Sequence, residues 1–399
     1  MNFSFGFAGD DIDASNDAGT QQPAAPTITP AQAGAFPTAG KPQLTATRHD
    51  LSQMLAMMPS KIAYSLLDVT LDDGCVVQLP RRELWDVRVQ LMAEEEEEKN
   101  AEHGVNADGS GLGTHDVKTG VYEGGFKSWE SSVDLVKVLA AQGKVSAAEQ
   151  LPMRIIELGC GTALPSISLF QWTIEAAMSS AAITRQPTSF IVADYNPTVL
   201  QLVTLPNFIL AWALSCREHT PALINAFSLD DELELLPEVV AAFQSHLVAN
   251  RIALTFISGA WSPRFIELVY NGIPNDATDS GAAAATLLLG AETIYSPFAL
   301  QAFTEATFCI LQREGAKYST SRAVALVAAK KLYFGVGGSL DDFVDQARGR
   351  GGDVTILREE TDGVRRGVVK CTLQVRAWPL KTINTRRGFA GKGCQIEDD

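Results

Sequence analysis

Apolar positions along this chain change their spacing several times, and each change marks an element. From residue 120 onward, short apolar runs alternate with longer segments of helical period. The runs 153–158, 189–193, 254–258, 285–290, 322–328 and 371–375 read as strands; 133–141, 164–177 and 198–213 carry apolar residues at the three- and four-residue spacing of helices. Strand and helix in alternation predict an α/β fold with a doubly wound, mostly parallel sheet.

Upstream the pattern is different. Residues 62–71 alternate like a strand, Asp72-Asp73-Gly74 suits a turn, 75–79 reads as the return strand and 82–93 as a short helix. This makes a small α+β leader from residue 49. It ends in five acids, Glu94 to Glu98, and a stretch at 100–114 rich in Gly and Asp, together a solvated spacer reaching residue 112. Residues 1–48 are rich in Ala, Gly, Pro, Thr and Gln. They bury too little apolar area to offset ordering, so a disordered tail is expected. Within it, Phe3-Ser4-Phe5-Gly6-Phe7 alternates like a peptide that adds to a sheet edge, or is simply part of the tail. Two insertions interrupt the later pattern, an acidic one at 218–249 and a loop-like one at 271–285.

With 399 residues, 46% of them hydrophobic, the chain has ample material for a core. Its net charge is -15 and it has no Lys/Arg-rich run, so direct nucleic-acid binding is not expected, whereas a basic protein partner suits it by electrostatic steering. The six cysteines form no C-x-x-C pair and read as reduced thiols. The five histidines form no ligand cluster, so no metal is expected. The start lacks the basic and apolar regions of a secretory signal. The most apolar run, 205–216, is taken as too short to span a bilayer. A cytoplasmic or nuclear protein without a membrane segment is expected.

The strongest chemical signal is Ile155-Ile156-Glu157-Leu158-Gly159-Cys160-Gly161-Thr162. An apolar strand runs through an acid into two glycines and then a helix. Glycines allow a backbone to approach a ligand where a Cβ would clash, and the helix start offers free N–H groups. A dinucleotide loop wants a third glycine, but Leu164 and Pro165 stand there. Glu157 would repel a pyrophosphate and suits the cationic methionine end of a sulfonium cofactor, so S-adenosylmethionine is favoured over NAD. The next strand ends at Asp194-Tyr195-Asn196. An acid there suits ribose hydroxyls; as a helix cap before Asn-Pro it has a plain structural use too.

With these pieces in place, the chain resembles the seven-strand, Rossmann-like methyltransferases that modify proteins. It is most similar to the protein-histidine methyltransferase branch, whose members act on large-subunit ribosomal protein three. The resemblance rests on the stretch from Gly120 to Glu130, on the Glu157 loop, and on Asp194-Tyr195-Asn196-Pro197 through Asn207. It rests also on Gly290-Ala291-Glu292-Thr293-Ile294-Tyr295-Ser296-Pro297, on Ala329 to Ser339 and on the Phe3–Phe7 stretch. It implies a methyltransferase domain over 113–380, preceded by the tail 1–48 and leader 49–112 and followed by a tail at 381–399. It also implies a monomeric enzyme transferring methyl from S-adenosylmethionine to a histidine of a ribosomal protein. Glu292 and Tyr295 would serve the acceptor. Trp129, Glu157, Gly159, Gly161, Asp194, Asn196 and Trp261 would hold the cofactor, and Lys330 and Lys331 would contact the acceptor protein or solvent. Ala260 stands where relatives carry a carboxylate, which leaves adenine recognition open. A lysine methyltransferase of the same branch and a non-catalytic ribosome assembly factor are the competing readings.

Overall fold

The computed structural model describes residues 40, 42–92, 124–143, 152–179, 186–227, 229, 231–271, 285–317, 323–333 and 337–373. Its strands there are β1 (Thr47–His49), β2 (Lys61–Thr70), β3 (Val76–Arg82), β4 (Met153–Leu158), β5 (Thr188–Asp194), β6 (Glu232–Glu234), β7 (Ile252–Ser258), β8 (Ala285–Ala291), β9 (Ala323–Lys330), β10 (Gly352–Glu360) and β11 (Arg366–Leu373). Eight form one sheet in the order β1-β7-β5-β4-β8-β9-β11-β10. The central five, β7 to β9, run parallel. β1, β11 and β10 pair antiparallel at the two sides.

The central strands read as continuous apolar runs because both sheet faces are covered. Successive residues of β4 therefore enter opposite cores: Ile155 packs with Phe190, Phe208 and Trp212, and Ile156 with Ile191, Leu288, Phe303 and Phe343. The chain leaves β4 for β5 and β7 on one side, then crosses back to β8 and β9 on the other. That reversal lies between β4 and β8, where a crevice opens beyond the carboxyl ends of the strands.

Four features depart from the expected pattern. The tail expected over 1–48 ends earlier, because Thr47–His49 extend the large sheet by pairing with β7. The leader is not self-contained: β2 pairs with β3 on one side and, on the other, with β6 from the acidic insertion. β10 was not anticipated; it is an edge strand with a mostly solvent-facing pattern, so its sequence carries little apolar signal. The last strand begins at Arg366, with 374–375 outside the described residues. The Phe3–Phe7 stretch, the acidic run 94–98, the spacer 100–114 and the tail 381–399 also lie outside them.

The helix Pro197–Cys216 has 20 residues and is long and apolar enough to cross a membrane, yet 89% of its most apolar window is buried in the protein. The most apolar run, 205–216, is the second half of this helix, whose start at Pro197 lies one residue before that read from sequence. Pro206 stands inside it and cannot donate to the carbonyl four residues back. The helix accommodates this with a π-helical segment, Leu200–Thr204.

Candidate active site

The loop after β4 holds three left-handed residues: Gly159 at φ 65°, Gly161 at 50° and Ala163 at 55°. Two glycines relieve most of that strain. Space demands them as well. A Cβ on Gly159 would lie 2.5 Å from Thr293 Cγ2 and 3.7 Å from Trp261 Cζ2, and one on Gly161 would lie 3.0 Å from the Gly125 carbonyl oxygen. Three neighbours thus converge on the loop: the turn after β8, the turn after β7 and the Gly124–Phe126 segment. Ser128 joins the last of these to the loop through Thr162, hydroxyl to hydroxyl at 3.1 Å.

Asp194, at the end of β5, accepts from the Gly161 N–H at 3.0 Å and from the Asn196 N–H at 3.1 Å. Burial raises its pKa above the ordinary carboxylate value. Asn196 caps the following helix, its Oδ1 accepting from the Thr198 N–H at 2.8 Å. Glu157 turns inward. It is 2% exposed, and its carboxylate accepts from both the N–H and the hydroxyl of Ser166. Burial pushes its pKa up to about 7, against those bonds.

Asn196 Nδ2, Trp261 Nε1 and Thr293 Oγ1 are buried without a protein partner. Buried polar groups are normally satisfied, and the three lie on the turns that follow β5, β7 and β8. Together with the glycine loop they fit a polar nucleoside ligand. Trp261 packs edge-on against Phe303, ring centroids 5.8 Å apart. The Gly259–Ala260 turn beside it is covered by residues 44–46: Ala260 N–H donates to the Leu44 carbonyl at 2.9 Å, and the Leu44 N–H donates to the Tyr195 hydroxyl at 2.9 Å.

Glu292 directly follows β8, on the other side of the crevice. Its φ is 59°, a left-handed backbone that a non-glycine residue adopts at a cost of about 1–2 kcal/mol. The surroundings hold it there. Its N–H donates to the Ala328 carbonyl at 3.0 Å. One carboxylate oxygen accepts from the Ser131 hydroxyl and the other from the Tyr333 hydroxyl at 2.5 Å. Burial, and then the Glu292 charge, drive the Tyr333 pKa upward, so Tyr333 remains a donor. Strain of this kind, over-determined by neighbours, points to use. Lys330 stretches its ammonium over Trp129, 5.0 Å from the ring centre, and lies 5.6 Å from that of Tyr333. Trp129 itself is 40% exposed, at the start of the helix Glu130–Ala141. Tyr295 is half-buried against the second core cluster. Its backbone is pressed by the loop after β9, where a Cβ on Gly338 would lie 2.2 Å from the Ile294 carbonyl oxygen.

The anticipated residues therefore fall into two groups across one crevice. Gly159, Gly161, Glu157, Asp194, Asn196 and Trp261 gather around the glycine loop. Glu292 and Trp129 belong to a second group, linked through Tyr333 and Lys330, with Tyr295 three residues beyond Glu292. Thr293 joins the two. Ser131, Thr293 and Tyr333 had not been singled out. Tyr333 lies within one of the quoted stretches, but nothing in its spacing ties it to Glu292, 41 residues earlier. Among the described residues no three His, Cys, Asp or Glu side chains gather as a metal site would need.

No family model matches the chain. Histidine protein methyltransferase 1 of Saccharomyces cerevisiae is 35% identical to it over 272 residues, 66% of this chain and 67% of that protein. The protein of the same name from Schizosaccharomyces pombe is 30% identical over 302 residues, 76% of this chain and 77% of that protein. Among solved structures, the N-terminal domain of human METTL16 in complex with SAH covers 62% of this chain and is itself covered to 72%. The identity there is 10% and the TM-score 0.31, too low to argue from. The sequence relatives carry the assignment: at 30–35% identity over at least two thirds of both yeast proteins, this chain belongs to the histidine protein methyltransferase family.

Proposed function

We propose that this protein-histidine methyltransferase modifies one histidine of a basic large-subunit ribosomal protein, with Glu292 receiving the charge that develops on the ring. The methyl donor is S-adenosylmethionine, which supplies an electrophilic methyl group on a sulfonium. In this reading Gly159, Gly161, Asp194, Asn196 and Trp261 hold the nucleoside and methionine parts. Trp129 closes the site from the helix Glu130–Ala141. Glu157 stays within the protein and fixes the loop through Ser166.

An imidazole near neutral pH is already mostly neutral and has a free lone pair, whereas an ammonium with a pKa of about 10.4 must first lose a proton. Such an acceptor needs no strong base. It needs to be held on the line of transfer, since positioning supplies much of the rate, and it needs an acceptor for its other N–H. The observation that carries the reading is the fixed Glu292 carboxylate at the switch point. A carboxylate offers about four lone-pair directions, and Ser131 and Tyr333 use two. Tyr295 lines the slot on the same turn. The aromatic faces of Trp129 and Tyr333 already carry the Lys330 ammonium, so a second ammonium would meet like charge there.

The ribosomal substrate is supported by the net charge of -15, which attracts basic proteins, and by the resemblance of the Gly120–Glu130 and Gly290–Pro297 stretches. It places the enzyme in the cytosol or nucleus, where such proteins are made and assembled. The test is incubation of the purified chain with separated large-subunit proteins and methyl-labelled donor, followed by mass spectrometry. Methylhistidine in one ribosomal protein is expected. Label found only in proteins outside the ribosome, or only in lysine, overturns the substrate.

A further inference from the structure

Pro206 leaves one helical carbonyl without its usual donor, that of Leu202 four residues earlier. The missing donor comes from the leader. Arg82, at the end of β3 and 4% exposed, donates from Nη1 to the Leu202 carbonyl at 2.9 Å. The rest of its guanidinium is held by Asp86 Oδ2 at 2.7 Å and Gln90 Oε1 at 2.8 Å, both on the helix at 84–92. The Arg82 backbone N–H donates to Asn207 Oδ1 at 2.7 Å, and Asn207 Nδ2 donates in turn to the Thr162 carbonyl at 3.0 Å. Three residues before Asn207, on the neighbouring helix position, the Thr204 hydroxyl donates to the Gly161 carbonyl at 2.7 Å.

Two consecutive carbonyls of the glycine loop are thus drawn to one helix. In a trans peptide C=O and N–H point opposite ways, so fixing the Gly161 carbonyl also fixes the direction of the Thr162 N–H. Arg82, Thr204 and Asn207 are all buried, and Asn207 uses both ends of its amide. We infer that Arg82, Thr204 and Asn207 are positioning residues for the cofactor, and that the leader, through Arg82, is a structural part of the cofactor site. The π-helical segment supports this: it adjusts the helix just where Thr204 must reach the loop. This inference rests on the glycine loop being the cofactor site.

The full chain should be compared with Thr204→Val, Thr204→Ser, Asn207→Asp and Arg82→Lys, each checked for folding by circular dichroism and thermal melting. Asn207→Asp keeps the acceptor for Arg82 but sets an oxygen against the Thr162 carbonyl. S-adenosylmethionine affinity by calorimetry, and KM and kcat with a histidine-containing acceptor, are the readouts. We expect Thr204→Val and Asn207→Asp to weaken cofactor affinity about tenfold and raise its KM likewise, with kcat at saturation within twofold. Thr204→Ser should restore the parent values, and Arg82→Lys should show a smaller shift in the same direction. Folded Thr204→Val and Asn207→Asp proteins with parental affinity overturn the inference. If Asn207→Asp does not fold, the Thr204 pair decides alone. A parent chain that binds no S-adenosylmethionine would instead refute the reading of the loop.

Discussion

Glu292→Gln isolates the charge of the residue proposed to face the acceptor. The amide keeps the shape of the carboxylate, so the left-handed backbone and the Ala328 bond need not change. What changes is the match to Ser131 and Tyr333, which donate to the two oxygens. One of these hydroxyls must turn and accept from the new NH2. Tyr333 is poorly placed for this because it already accepts from the Lys330 N–H at 3.4 Å, so Ser131 should adjust. One weakened bond costs about 1 kcal/mol, which in a protein of this size lowers Tm by roughly 1–2 °C. Catalysis should suffer more. A carboxylate facing a ring that becomes cationic is replaced by a neutral dipole, and preorganised groups of this kind contribute about 10²–10³ in kcat. S-adenosylmethionine affinity should stay within about threefold of the parent, since Glu292 lies across the crevice from the glycine loop. Single-turnover rates with a peptide acceptor, measured from pH 5 to 9, give the comparison. Both proteins should gain activity as the acceptor histidine loses its proton near a pKa of about 6.5, the variant at a level lower throughout. A variant with parental kcat and the small loss in Tm would show that Glu292 only holds the fold.

Gly159→Ala must place a methyl 2.5 Å from Thr293 Cγ2 on a backbone at φ 65°. Left-handed strain of about 1–2 kcal/mol and overpacking of about 1–3 kcal/mol combine, so calorimetry should show cofactor affinity reduced at least tenfold; unchanged affinity contradicts the assignment of the loop. Glu157 has its pKa raised from the ordinary 4.5 to about 7, chiefly by burial. The folded chain then keeps a proton that the unfolded chain has lost, so this contribution to stability is complete below about pH 4.5 and is lost as pH rises through 7. Glu157→Gln should match the parent at pH 4 and exceed it by about 1–3 kcal/mol at pH 8 in cofactor-free denaturant titrations; equal stabilities at both would refute the raised pKa. Deleting residues 1–39 should leave cofactor affinity intact, whereas deleting 1–49 removes β1 and the Leu44–Tyr195 bond and should weaken it. Equal affinities in the two truncated chains would show that residues 44–46 do not support the site.

Strands in the middle of the large sheet read closely from sequence. β4 was placed to the residue and β5, β7 and β8 to within two, because burial on both faces leaves an unbroken apolar run. β1 has three residues, Thr47–His49, none of them aliphatic, and its pairing with β7 is the only reason it is a strand. The π-helical segment was not read either, although Pro206 in the middle of an apolar helix was its visible cause. In the site, the glycine loop and Asp194 were legible because their chemistry is local. The grip on Glu292 was not: Ser131 lies 161 residues before it, and only the fold brings them together.

The placing of β1 has a consequence for how the chain is made. His49 and Ser258 are bonded across the sheet edge but stand 209 residues apart, and Lys61 and Glu232 in the small sheet stand 171 apart. At a synthesis rate of about 5–20 residues per second, β7 emerges from the ribosome about 10–40 s after β1. During that time the leader has neither of the strands that complete its two sheets. It cannot mature as a first-born unit. With only its β2–β3 hairpin paired, it must wait for downstream sequence, and such late long-range pairing is slow. The same Arg82 that braces Asn207, which in turn holds the glycine loop, is among the parts kept waiting, so competence to bind the methyl donor should be one of the last properties the newly made chain acquires.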